Sequence, residues 1–151
     1  MKYGNVKMKT TNFLTLLALT CVSAYTFAQE PLTLTVEVSG AEANAGQAIF
    51  DLFDSKDNFL DSPVLSQTMK IDSEGRARFV ITDLPAGKYA FSVIHDEDSN
   101  GELKTGFLGI PKEKVAVSNN VVPRFGPPKY RDAEFDLNDS ITMSVSLQDP
   151  D

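Results

Sequence analysis

From Leu32 onward the chain is written in short segments whose side chains alternate apolar and polar. Gly, Pro, Asn and Asp cut them at intervals, and no apolar stretch keeps a helical period. A period of two gives a pleated strand one apolar face, and strands of this kind bury those faces only by packing sheet on sheet. The clearest segment is Leu32 to Ser39, with Leu32, Leu34, Val36 and Val38 on one side. Gln47 to Phe53 is apolar on both sides and predicts a central strand. Val64 to Ile71 and Ala77 to Ile81 flank the turn Asp72-Ser73-Glu74-Gly75, and Lys88 to His95 aligns Tyr89, Phe91 and Val93. Ala133 to Leu137 and Ile141 to Leu147 alternate strictly, and Asn138-Asp139 between them predicts a hairpin turn. The expectation is an all-β, antiparallel Greek-key sandwich, immunoglobulin-like or prealbumin-like, of about seven strands with a frayed tail from Gln148.

Two features refine this picture. Leu84-Pro85-Ala86-Gly87-Lys88-Tyr89 has the form of a tyrosine corner, in which a Tyr at a strand entrance turns its hydroxyl back to upstream backbone. The stretch between His95 and Arg131 holds Gly101, Gly106, Gly109, Pro111, Pro123, Gly126, Pro127 and Pro128 and no long strand. Loops of such length inside a compact domain are uncommon and often functional. The alternative is a connection that hides one short strand near Val115 to Val117.

The N-terminus carries Lys2, Lys7 and Lys9 and no acid, runs apolar from Phe13 to Phe27, and reaches Ala28-Gln29-Glu30-Pro31. Basic, apolar, then small is the order of a secretory signal. Thr15, Thr20, Ser23 and Thr26 break the run, which falls short of the roughly 20 apolar residues a spanning helix needs. The expected organisation is a signal peptide over 1–28 and one domain over 29–151, periplasmic or secreted, with no membrane span after cleavage. The only cysteine, Cys21, falls in the signal, so packing must hold the mature domain together without a disulfide. Losing three lysines makes the mature chain more acidic than the formal −7 of the whole, which disfavours nucleic acid as a partner.

Chemistry concentrates after His95. Asp96-Glu97-Asp98-Ser99-Asn100-Gly101-Glu102-Leu103 matches the opening of an EF-hand-type loop, with oxygen side chains at positions one, three and five and Gly at six. Alternate residues of a tightly curled loop point inward, and position seven contributes a carbonyl. A calcium ion would then meet Asp96, Asp98, Asn100 and the Glu102 carbonyl. The match ends at Lys104 and Phe107, so a closing carboxylate must come from elsewhere, with Glu113 or Asp132 as candidates. The competing reading is that Asn100-Gly101 is the turn of an acidic hairpin. The sole histidine, His95, lacks the partners a zinc site or a nucleophilic triad requires, and nothing singles out a carboxylate pair for glycoside cleavage. Sugar stacking has few aromatic candidates, with Phe107, Phe125 and Tyr130 on the long loop.

The run His95 to Leu103, then Phe107-Leu108-Gly109-Ile110-Pro111-Lys112-Glu113, Ser118-Asn119-Asn120, Arg124-Phe125-Gly126-Pro127-Pro128 and Asp132-Ala133-Glu134-Phe135, resembles the bacterial domain-of-unknown-function family DUF2141. The resemblance covers nearly all of the mature chain. It implies a secreted or periplasmic bacterial sandwich and brings no activity with it. Two departures stand out: Lys104 where the family tends to have Asp, and Lys114-Val115-Ala116-Val117 where it tends to have an aromatic, Gly-rich segment.

These readings converge on an exported, non-enzymatic module with a binding or accessory role toward an envelope protein or glycan. The alternatives are a small carboxylate-dependent hydrolase and a purely structural envelope domain.

Overall fold

A computed structural model describes residue 1 and residues 30–107, 111–122 and 126–149. The signal-like segment with Cys21 and Ala28 lies outside the described residues, as do Leu108, Gly109, Ile110, Arg124 and Phe125. The fold is an all-β sandwich. Its strands are β1 (Leu32–Ser39), β2 (Gln47–Phe53), β3 (Leu65–Lys70), β4 (Ala77–Leu84), β5 (Gly87–Asp96), β6 (Val115–Val117), β7 (Phe135–Leu137) and β8 (Ile141–Ser146). One short helix, α1 (Tyr130–Ala133), precedes β7.

One sheet has the order β4-β1-β8; the other runs β3-β2-β5-β6, with β7 also paired to β5. β1 and β4 share a sheet while the β2–β3 pair between them in sequence lies in the other, which is a Greek-key crossing. β2, with Ala48, Phe50 and Leu52 on one face and Ile49 and Phe53 on the other, is central, between β3 and β5, because a strand with two apolar faces must be covered on both. Leu34, Val36, Phe79 and Ile81 from one sheet meet Phe50, Leu52, Phe91 and Val93 from the other in the core. The Phe50 ring stacks on Phe79 across the sandwich at 5.2 Å between centroids. Each ring buried this fully contributes about 1.5–3 kcal/mol of transfer free energy.

Three expectations need correction. Asn138-Asp139 is not a hairpin: β7 pairs with β5 and β8 pairs with β1, so these residues carry the chain from one sheet to the other. The crossing puts Val145 into the core beside Val36 and Val38 while Leu137 fills the opposite wall. The β1–β8 pair is also parallel, so the sandwich is mainly rather than wholly antiparallel. Finally, the C-terminal segment does not fray at Gln148, whose N–H donates to the Val115 carbonyl at 2.9 Å while Val115 N–H donates to Gln148 at 3.1 Å. That bridge ties β6 to the chain leaving β8 and closes one side of the sandwich.

The tyrosine corner is present. Tyr89 is buried and its hydroxyl donates to the Pro85 carbonyl at 3.0 Å. The long stretch after β5 contains the short strand β6 and then covers the outer face of the larger sheet. There Ala90, Val117 and Ala133 form a second apolar cluster with Phe59, Val121 and Tyr130. Phe53 meets Phe59 edge-on at 5.4 Å, and Phe59 meets Tyr130 at 5.6 Å.

Candidate functional site

The acidic loop leaves the end of β5, where pairing with β2 stops at Gln47 opposite Asp96. His95 ends the inward row of Tyr89, Phe91 and Val93 and is fully buried. Its Nε2 donates to the Ala45 carbonyl at 2.9 Å. Its Nδ1 is buried without a hydrogen-bond partner, 3.8 Å from Glu97 Oε1. The segment before β2 lies tightly against this corner: Gly46 has φ +61, and a Cβ there would run into the Asp96 carbonyl and Glu97. Only glycine accommodates both the backbone angle and the approach.

Asp96 points to the other side of the strand and is also fully buried. Its Oδ2 accepts from Gln47 Nε2 at 2.7 Å and from Gly101 N–H at 2.8 Å, and its Oδ1 accepts from Asn100 N–H at 3.1 Å. Burial pushes its carboxyl up, but the donors from Gln47, Gly101 and Asn100 together outweigh it and hold the carboxyl below its ordinary value. Glu113, 3% exposed, performs a second tie: Oε1 accepts from Glu97 N–H at 3.3 Å and Oε2 from Lys104 N–H at 2.9 Å. One carboxylate thus grips both ends of the loop. The Lys112 N–H to Lys104 carbonyl bond at 2.8 Å brings the Glu113 segment alongside.

Of the residues expected to meet a cation, Asp96, Asp98 and Glu113 come together, each offering an oxygen within 4.8 Å of the others. The Asn100 Oδ1 accepts from Glu102 N–H at 2.7 Å, closing a turn within the loop. The Glu102 side chain is exposed, and Asp132 lies on α1, where it meets Arg131. The Lys104 ammonium forms an ion pair with Asp98, and that hydrogen bond is the chief reason the lysine is held above its usual range. A cation approaching the three carboxylates therefore finds one already paired and two partly occupied by backbone N–H groups.

The residues that sequence reasoning used least are Ser118-Asn119-Asn120, which form a clip. The buried Ser118 hydroxyl accepts from Phe91 N–H at 3.1 Å and donates to the Ala133 carbonyl at 2.7 Å. Asn119, at φ +62, donates to the carbonyls of Ala133 and Glu134 at 3.2 and 3.0 Å. The Asn120 amide donates to the Ser144 carbonyl and accepts from Ser146 N–H, at 3.1 and 2.9 Å. It thereby imitates a neighbouring strand along the free edge of β8. Asparagine suits the role because it tolerates a left-handed backbone and carries both a donor and an acceptor.

Comparison with known families bears on these same residues. Positions 36–144 match the family described as "Uncharacterized protein conserved in bacteria (DUF2141)". The chain belongs to this family. No curated protein and no solved structure matches it. The DUF2141 match runs from β1 to β8 and includes the acidic loop, Glu113 and the Ser-Asn-Asn clip, so the resemblance seen in the motifs holds across the whole sandwich.

Proposed function

We propose that this DUF2141 protein is an exported, non-enzymatic module of the bacterial envelope, with a binding or accessory role toward an envelope glycan or protein. The observation that carries the reading is the N-terminal order of Lys2, Lys7 and Lys9, an apolar run and Ala28, placed directly before a single sandwich domain. Membership in a bacterial family supports it. The side chains richest in chemistry, Asp96, Glu113 and Ser118, are buried and engaged with backbone, which suits a rigid scaffold. Fractionation of a producing bacterium with mass spectrometry of the N-terminus tests export. A chain starting at or near Gln29 in the periplasm or medium is expected, and an intact N-terminus in cytosol or membrane overturns the reading.

A second reading, calcium stabilisation, is favoured by the convergence of Asp96, Asp98 and Glu113. Calcium takes six to eight oxygens, so water and backbone carbonyls would complete the shell. The Lys104–Asp98 pair opposes it, and binding would be weak, of order 10⁻⁴ to 10⁻³ M, the range of extracellular modules.

A further inference from the structure

Asn100-Gly101 is the only Asn-Gly pair in the chain, and both residues are exposed in the acidic loop. An asparagine followed by glycine is open to one reaction above all. The next backbone nitrogen attacks the side-chain amide carbon, and a glycine there has no Cβ to hinder it. Gly101 sits at φ +83, and a Cβ built on it would meet no atom within 4 Å, so this side of the peptide is open to water.

Hydrogen bonds reach both reacting groups. Asn100 Oδ1 accepts from Glu102 N–H at 2.7 Å. The ring closed by that bond contains both the Asn100 amide carbon and the Gly101 nitrogen, so the side chain curls back over the peptide that would attack it. The Glu102 N–H also donates to the oxygen on which negative charge develops during attack, the role of an oxyanion donor. The Gly101 nitrogen is restrained in turn. Its N–H donates to Oδ2 of the buried Asp96 at 2.8 Å, and Asn100 N–H donates to Oδ1 at 3.1 Å. Gln47 Nε2, 2.7 Å from Oδ2, keeps that carboxylate in place. Attack requires the Gly101 nitrogen to lose its proton and turn toward the amide carbon. A carboxylate accepting that N–H favours the protonated nitrogen and holds it where it is.

We propose that Asn100 is a modification site, deamidated through a cyclic imide at a rate set by Asp96. The Gly101 nitrogen bonds to Asn100 Cγ, the Cγ–Nδ2 bond breaks, and the Gly101 proton leaves with the side-chain nitrogen as ammonia. Water then opens the imide at either carbonyl, giving aspartate or isoaspartate at position 100. Either product adds a negative charge to the loop. Isoaspartate also lengthens the backbone by one carbon inside the turn, so the two N–H groups gathered on Asp96 no longer share one carboxylate. The reaction needs only water and proceeds when the bond to Asp96 opens, so the modification records how often this corner of the fold loosens.

The test is incubation of the purified full-length chain beside a synthetic peptide spanning Asp96 to Leu103, with product at Asn100 read by peptide mapping and mass spectrometry. Hydrogen exchange of the Gly101 amide in the folded chain gives the open fraction of that N–H. Deamidation slower than in the peptide, by the factor the open fraction sets, is expected. Asp96→Asn, which removes the charge, should raise the rate about tenfold, the loss of roughly one charge-assisted hydrogen bond. Melting shows whether that variant keeps the fold; if it does not, the wild-type comparison of deamidation with exchange decides alone. The proposal is overturned if folded chain and peptide react equally fast, if no product forms at Asn100 in the time the open fraction predicts, or if a folded Asp96→Asn variant reacts no faster than wild type.

Discussion

Replacing Glu113 by alanine tests whether the acidic loop is held by its own backbone. The side chain is 3% exposed, and its two oxygens accept from the N–H groups of Glu97 and Lys104 at 3.3 and 2.9 Å. A hydrogen bond to a charged group contributes about 1.5–3 kcal/mol, and the longer of these two belongs at the lower end. Glu97 and Lys104 are both exposed, so water can reach their N–H groups once the carboxylate is gone, and the full penalty of orphaned donors does not apply. Removing a buried charge also recovers part of its desolvation cost. The balance predicts a loss of about 2 kcal/mol for Glu113→Ala. Glu113→Gln, which keeps one acceptor oxygen, should lose about 1 kcal/mol. With a urea m-value near 1.5 kcal/mol/M, the alanine variant should unfold at a midpoint lower by about 1.3 M. Hydrogen exchange of the Glu97 and Lys104 amides should accelerate before global unfolding. An unchanged midpoint with unchanged amide protection would refute the claim that Glu113 staples the loop.

Four further outcomes are expected. Tyr89→Phe should cost about 1 kcal/mol in chemical denaturation, because the ring stays and only the bond to the Pro85 carbonyl is lost. Ser118→Ala should cost about 2 kcal/mol by the same measurement, since it strips the partner from Phe91 N–H at a fully buried site and leaves the Ala133 carbonyl with the Asn119 amide alone. The Asp96 carboxyl is held below its ordinary 3.8 in the folded chain, so its stabilisation is present above that pH and is lost as pH falls through the lower folded value; melting midpoints of wild type should drop more steeply below pH 4 than those of Asp96→Asn. Calcium at ten times its dissociation constant should stabilise the chain by about 1.4 kcal/mol, seen as a melting shift absent with magnesium and in Asp98→Ala, and a chain melting identically in chelator and in millimolar calcium would remove the metal reading.

The strands were legible because period-two alternation encodes a face and needs no partner to be named. Leu32–Ser39 and Gln47–Phe53 fall where the pattern places them. Which strand pairs with which was not legible: the Asp72 turn joins β3 to β4 and the tyrosine corner joins β4 to β5, and each connection crosses from one sheet to the other. Asn138-Asp139 shows the limit. Two alternating segments joined by turn residues are written alike whether the chain folds back in one sheet or crosses to the other, and the choice is made by distant residues such as Val36 and Val38, which need Val145 beside them. The roles of Ser118, Asn119 and Asn120 were hidden for the same reason. A side chain that clips an edge strand twenty-odd positions away leaves no spacing rule behind.

The acidic loop was found by composition, and its organisation depends on what composition cannot state. Four acids between Asp96 and Glu102 suggest mutual repulsion that a divalent ion would relieve. In the folded chain the carboxylates are separated by function. Asp96 is enclosed by N–H donors, Glu113 holds the two ends of the loop, and Asp98 carries the ammonium of Lys104. Lys104 thus supplies a tethered cation where an ion would otherwise bring charge. Lys104→Gln should therefore make the loop more dependent on calcium. The measurement is the calcium-induced melting shift of the variant set beside that of wild type, with Asp98→Ala as the control for the site. A larger shift in the variant is expected. If the two shifts are equal, the lysine is a surface pair that contributes little, as exposed pairs commonly do, and the backbone donors to Asp96 and Glu113 alone set the order of the loop.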